Sequence, residues 1–160
     1  MSTIEISSTK STPTPDPEAG EWRLEVVALP VEDVDRAKDF YVNTLGWRLD
    51  ADSNVNEHFW VVQVTPPGSP CSIHFGKGIT AAAPGSVDHI YLVVSDLEAA
   101  RTELVRRGVD VSEVFHIALG EGPQPGPHPE GLTYSQYASF NDPDGNRWLV
   151  QEVSMRLPGR

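Results

Sequence analysis

Cysteine, basic charge and long apolar runs are all scarce in this chain. Its 160 residues hold a single cysteine, Cys71, which excludes an internal disulfide and a zinc cluster of the multi-cysteine kind. Lysine and arginine number 12 against 23 aspartates and glutamates, a formal net charge of −11. A surface that negative repels phosphate backbones and anionic lipid, so neither nucleic acid nor membrane is an expected partner. No apolar run approaches the ~20 residues of a membrane span. Residues 1–20 also lack the apolar stretch of a secretory signal, so the expected location is the cytoplasm.

Hydrophobic residues at 39% and charged residues at 22% are enough for a real core. The length suits one domain or two small units. Residues 1–20 are rich in Ser, Thr and Pro and contain no aromatic residue. Such a segment cannot bury enough apolar surface to offset its ordering entropy, and it reads as a flexible tail. It sets Lys10 against Glu5, Asp16 and Glu18, so most of the acidity belongs to the body.

The body repeats itself. Residues 26–46 align with residues 89–108 at an offset of 63, with one length adjustment near the helix end. Each copy opens on a strand-type apolar run, residues 26–31 and 90–94, and then meets an acidic helix start at Glu32-Asp33 and Ser95-Asp96. Side-chain oxygens there can satisfy free helix N–H groups, and Ser95 with Glu98 fits a capping box. Val34, Ala37 and Tyr41, and likewise Leu97, Ala100 and Leu104, lay an apolar stripe along each helix. Gly46 and Gly108 supply left-handed caps. Strand signals follow at 47–51, 58–65 and 71–75, and again at 109–116, 134–140 and 147–153. The last two strands of each copy flank a turn, Thr65-Pro66-Pro67-Gly68 and Asp142-Pro143-Asp144-Gly145, both suited to type I. The turns are 77 residues apart, so the second copy carries a surplus of 14, and its host is residues 120–131, GEGPQPGPHPEG. Its prolines and glycines predict a loop, either a lid or binding loop or a solvated excursion.

The segments LPVEDVDRAKDFYVNTLGWRL, DHIYLVVSDLEAARTELVRRGV and SFNDPDGNRWLVQE resemble the vicinal oxygen chelate superfamily. That group includes glyoxalase I, bleomycin-resistance proteins and extradiol dioxygenases. The resemblance implies an α+β fold, with two paired βαβββ modules forming a curved mixed sheet that cups a ligand, and a homodimer. It covers roughly residues 22–156 and implies a domain over 21–156, with module one at about 22–80 and module two at about 86–156. It leaves the activity open, because the superfamily spans lyases, isomerases, dioxygenases and drug binders.

A divalent metal is the cofactor that the resemblance implies. Metal-dependent members place ligands at the start of the first strand of each module and four residues after each turn glycine. Those positions here are Val26, Ser72, His89 and Leu149, three of them of non-ligand type. The plain reading of His89 is a histidine bonded to Asp88. Six residues past each turn glycine stand His74 and Gln151, on the same strand faces as the mapped positions because side chains alternate with period two. His74 and His89 are thus the metal candidates, joined by Gln151 in a shifted set that would also serve, without metal, to hydrogen-bond an oxygenated ligand. Gln151 and His116 are the catalytic candidates, His116 because an imidazole can serve as a general base near neutrality. Trp60, Tyr137 and Trp148 are the pocket candidates, against the plainer reading of strand aromatics as core. Glu152 falls on the face opposite Gln151. Two functions are expected from this set. One is a glyoxalase-like lyase or isomerase acting on a small oxygenated metabolite; the other is a metal-free small-molecule binder of the bleomycin-resistance type.

Overall fold

The computed structural model describes residues 15–159, so most of the expected tail, residues 1–14, lies outside the described residues. The fold is α+β. The chain divides into two compact units, one ending at Ser86 and the other beginning at Val87, and each is a βαβββ-like module with its own mixed sheet.

Module one runs β1 (Val26–Ala28), α1 (Val34–Lys38), β2 (Arg48–Asn56), β3 (Phe59–Thr65) and β4 (Ser72–Lys77). Its sheet order is β1-β4-β3-β2, with β1 parallel to β4 and the other pairs antiparallel. Asp33 caps α1 by accepting from the Arg36 N–H. The helix then widens over Asp39–Thr44, where Leu45 N donates to Phe40 O, five residues back. The stripe of Val34, Ala37 and Tyr41 is buried against Val62, Val64, Ile73 and Phe75 of the sheet. Tyr41 anchors that contact, its ring centroid 5.5 Å from Phe75 and 5.2 Å from Trp47. β2 extends five residues past its expected end although Asp and Asn are poor strand formers. It is an edge strand with two irregularities in register, and Asn56 closes its hairpin by accepting from the His58 and Phe59 N–H groups.

Module two runs β5 (Ile90–Val94), α2 (Leu97–Arg106), β6 (Phe115–Ala118), β7 (Gly122–Pro125), β8 (Gln136–Asn141) and β9 (Arg147–Glu152). The order is β5-β9-β8-β6-β7, with β5 parallel to β9. Trp148, Val150, Ala138, Phe140 and Leu97 form its buried helix-side core, with Phe140 stacked on Trp148 at 6.3 Å. The Asp-Pro-Asp-Gly-Asn turn does more than reverse the chain. Buried Asp142 accepts from the Asp144 and Asn146 N–H groups, and Asn146 in turn accepts from the Val87 N–H at 3.1 Å. The motif thereby ties the β8–β9 hairpin to the first residue of its own module.

The structure corrects several local expectations. The 120–131 segment is not wholly loop, because β7 pairs with β6 inside it. Gly126 N donates inward to Val114 O, so the N positions of Pro123 and Pro125, odd where Gly126 is even, face the free edge where no donor is needed. The strand expected at 109–116 forms later, at Phe115–Ala118. Before it, the Ser112 hydroxyl takes the Ser139 N–H that a strand carbonyl would otherwise accept. The cap of α2 is Asp96, accepting from Ala99 N at 3.0 Å, and not the Ser95 box. The first turn slips by one residue, closing from Ser69 N to Pro66 O. Gly68 then sits third in the turn at φ +78°, a type II arrangement that requires glycine there.

Candidate functional site

Each sheet has one face covered by its helix and one facing away from it. On module one the alternation places Val62, Val64, Ile73 and Phe75 under the helix, and Gln63, Thr65, Ser72 and His74 on the far face. Thr65 and Ser72 are only 3% and 6% exposed. Arg48 and the Thr65 hydroxyl both donate to the Asp50 carboxylate. The Thr65 proton is thus committed, and the 2.6 Å contact between the two hydroxyls must run from Ser72 to Thr65. This chain forms one wall of a groove of about 690 Å³, whose other wall includes Arg23 and Glu25 of the segment leading into β1. His74 sits beside Gln63 on this face, half-buried, and burial pulls its imidazole below the usual histidine range.

On module two the far face carries Val93, Phe115, Tyr137 and Gln151 on one continuous rung. Phe115 stacks on Tyr137 at 5.7 Å, and Tyr91 meets Tyr137 edge-on at 6.4 Å. Tyr91 and Val93 are 52% and 47% exposed, so the face offers aromatic and aliphatic surface. Tyr137 donates to Tyr134 O at 2.8 Å, and Gln151 Nε2 donates to that same carbonyl at 2.9 Å and to Tyr137 Oη at 3.0 Å. Burial pushes the Tyr137 phenol up, only partly offset by the Gln151 donor. Tyr134 holds a left-handed φ of +64°, an uncommon state for a bulky residue that is kept where the surroundings demand it.

The remaining candidates fall elsewhere. His89 is exposed, stands just before β5 at φ +71°, and lies 3.2 Å from Asp88. The strand register pairs the mapped positions differently in the two modules. Val26 faces Ser72 on the first sheet, and the residue facing Leu149 on the second is Tyr91, two positions beyond His89. The four mapped metal positions carry valine, serine, histidine and leucine, so three of the four are of non-ligand type. Among the described residues no three His, Cys, Asp or Glu side chains converge. This donor set does not fit a chelated divalent metal.

His116 lies on the face opposite Gln151, because it pairs with Gln136 while Phe115 pairs with Tyr137. Its Nδ1 is 2.8 Å from Gly126 O, an atom that can only accept, so that nitrogen carries the proton. Trp60 is on the helix face of module one, its indole N–H donating to Asp52 at 2.7 Å. Burial raises the Asp52 carboxyl, but Lys38 and Trp60 outweigh it and hold the group below its usual range. Trp148 is 1% exposed in the core of module two. Glu152, opposite Gln151, accepts from the Leu97 N–H at 2.9 Å and so places a carboxylate at the start of α2. Of the three pocket candidates, Tyr137 alone lies on a far face.

Sequence reasoning missed Asp50, Thr65, Tyr91 and Phe115. Tyr91 was within reach, since strand alternation from Ile90 sets residues 91 and 93 apart from 90, 92 and 94. The Asp50–Thr65–Ser72 chain had no sequence signal, because it depends on which strands are neighbours.

A family model described as the Glyoxalase/Bleomycin resistance protein/Dioxygenase superfamily matches residues 23–150. Among solved structures the chain is similar to TnmS3, an antibiotic binding protein from Streptomyces sp. CB03234. The two share 30% identity over 84% of this chain and 98% of that one, with a TM-score of 0.65. A glyoxalase/bleomycin resistance protein from the same Streptomyces is 31% identical over 81% and 100% of the two chains, at a TM-score of 0.61. A superfamily member from Sphaerobacter thermophilus DSM 20745 is 28% identical over 82% and 98%, at 0.62. No curated protein sequence matches the chain. Two βαβββ-like modules, the family match over most of the body and these relatives lead to one conclusion: the chain belongs to the glyoxalase/bleomycin resistance protein/dioxygenase superfamily.

Proposed function

We propose that this protein binds a small organic molecule without a metal, in the manner of a drug-binding member of its superfamily, and does not transform it. The likeness to an antibiotic binding protein at 30% identity over nearly the whole body carries this reading. The donor set supports it, since three of the four mapped metal positions are valine, serine and leucine, and His89 alone is of ligand type. The aromatic far face of module two, with Tyr91 half-exposed above Tyr137, is the surface on which apolar ligand area would be buried. The tail of residues 1–20, the ligand-binding body of residues 21–156, a homodimeric state and a cytoplasmic location complete the proposal.

A thermal-shift screen of aromatic natural products, repeated with EDTA and with added zinc or nickel, tests it. A ligand at a hundred times its Kd stabilises the folded state by about 2.7 kcal/mol. The expected result is a shift unaffected by either treatment, with the ligand recovered intact by mass spectrometry. Conversion of the ligand, or binding abolished by EDTA, would return the protein to the enzymatic reading.

A further inference from the structure

The hydrogen bonds around Gln151 run in one direction. The Tyr134 carbonyl can only accept, so both the Tyr137 hydroxyl and Gln151 Nε2 must donate to it. With the phenol proton committed there, Tyr137 Oη accepts the second amide hydrogen of Gln151. Both hydrogens of the amide are now used. The alternative orientation would set Oε1 against the Tyr134 carbonyl oxygen, two acceptors facing each other, so flipping the amide loses that bond and puts a repulsive contact in its place. The left-handed backbone at Tyr134 aims that carbonyl at the two donors, and its N–H is held by Glu152 O at 3.0 Å.

The consequence lies at the other end of the amide. Gln151 Oε1 has no hydrogen-bond partner among the described residues, and it is not among their fully buried side-chain atoms that lack one, as Tyr134 Oη is. It is therefore a solvent-reachable acceptor of fixed direction, on the rung that carries Val93, Tyr137 and Phe115. No hydrogen-bond donor on that rung is left to offer a ligand, since the phenol and the amide have spent theirs.

Resting on the small-molecule reading above, we propose that Gln151 is a specificity-determining residue. Its side-chain carbonyl selects aromatic ligands that carry a hydroxyl or N–H donor, and Tyr134 and Tyr137 are the positioning residues that hold it. The aromatic body of such a ligand lies against Tyr91 and Phe115, and its donor meets Oε1. An analogue whose donor is capped leaves that acceptor stripped of water and unpaired, the costlier error in recognition.

Paired probes test the idea: 2-naphthol, which donates, and 2-methoxynaphthalene, which does not. Binding is followed by two-dimensional NMR on the full chain at neutral pH. The expected result is about three- to tenfold tighter binding of 2-naphthol, falling to a ratio of about one in Gln151→Met. Tyr137→Phe keeps the ring and leaves Gln151 its bond to Tyr134 O but removes the oxygen that holds the second amide hydrogen, so the ratio falls part of the way toward one; a merely structural role for Gln151 would lower both affinities and leave the ratio unmoved. On wild-type protein, independent of any variant's folding, the Gln151 Cδ resonance shifts with 2-naphthol and not with its methyl ether. Equal binding of the two probes, or a ratio retained in Gln151→Met, overturns the selectivity and leaves small-molecule binding intact. Failure of both probes to move the Tyr91 and Val93 signals removes the aromatic face as a binding surface, and this inference with it.

Discussion

The two modules share a scaffold and differ in what they mount on it. His74 and Gln151 hold the same place, six residues after a turn glycine, beside Ala28 on the first sheet and Val93 on the second. Their antiparallel neighbours are Gln63 and Tyr137. Two positions earlier on each strand, buried Ser72 of the first module corresponds to buried Leu149 of the second. Under the helices both modules are apolar, because a helix stripe must bury itself against a sheet. Away from the helices, module one builds a chain of Arg48, Asp50, Thr65 and Ser72, and module two builds Tyr91, Phe115 and Tyr137 around one amide. Covering the core constrains one face of each sheet. The other face is free to acquire chemistry, and here it has done so in two directions.

The strongest way to break this comparison is at Gly76. Its φ is +154°, and a Cβ there would stand 1.7 Å from the Trp60 carbonyl oxygen, whereas its counterpart in module two, Val153, is a buried side chain. Gly76→Ala must part β3 from β4, with an expected loss of at least ~3 kcal/mol. Hydrogen exchange should show protection lost first along β1 to β4, with β8 and β9 holding longer. Loss to the same extent in both sheets would show that the two fold as one cooperative unit.

A smaller effect sharpens the polar side. Asp50→Ala strips the acceptor from the nearly buried Thr65 hydroxyl and from Arg48, and should cost about 1–3 kcal/mol in urea unfolding. Adding Thr65→Val and Ser72→Ala should restore more than half of it, since an apolar wall like that around Leu149 leaves nothing unsatisfied. No recovery in the triple variant would mean that the polar chain specifies the local structure and is not exchangeable for an apolar one.

The smallest effect depends on pH. The His74 imidazole titrates below its ordinary value of 6.5 because of burial, so the unfolded chain binds more protons in the window just under 6.5. Stability should therefore fall as the pH drops through that window and level off once the folded form is also protonated. At the equivalent position Gln151 cannot titrate, so His74→Gln should flatten the profile just below pH 6.5. An unchanged slope in the variant would assign the acid sensitivity to other groups.

Much of the scaffold was legible in the linear pattern. The helix stripes, the acidic caps at Asp33 and Asp96 and the glycine stops at Gly46 and Gly108 depend on neighbours a few residues apart. Local chemistry decides such features, and the repeat gave each of them two chances to be seen. Errors arose where the outcome hinged on a distant partner. Pro123 and Pro125 looked incompatible with a strand until their nitrogens were seen to face a free edge. The pairing of Tyr91 with Leu149 likewise could not be read from the helix offset. Trp60 and Trp148 read as pocket aromatics, yet both lie on helix-covered faces, a matter of which of two alternating sides meets the helix.

The composition already excluded disulfides and thiolate metal clusters, and argued against nucleic acid as a partner. The internal repeat by itself determined a pair of βαβββ-like modules, because period and punctuation are properties of the chain. Which atoms of Gln151 are committed was decided only in three dimensions. An amide has two ends, and which end is spoken for depends on Tyr134 and Tyr137, brought to it across strands by register. Period two told which residues share a face; the tertiary hydrogen bonds alone told which of their atoms remain free.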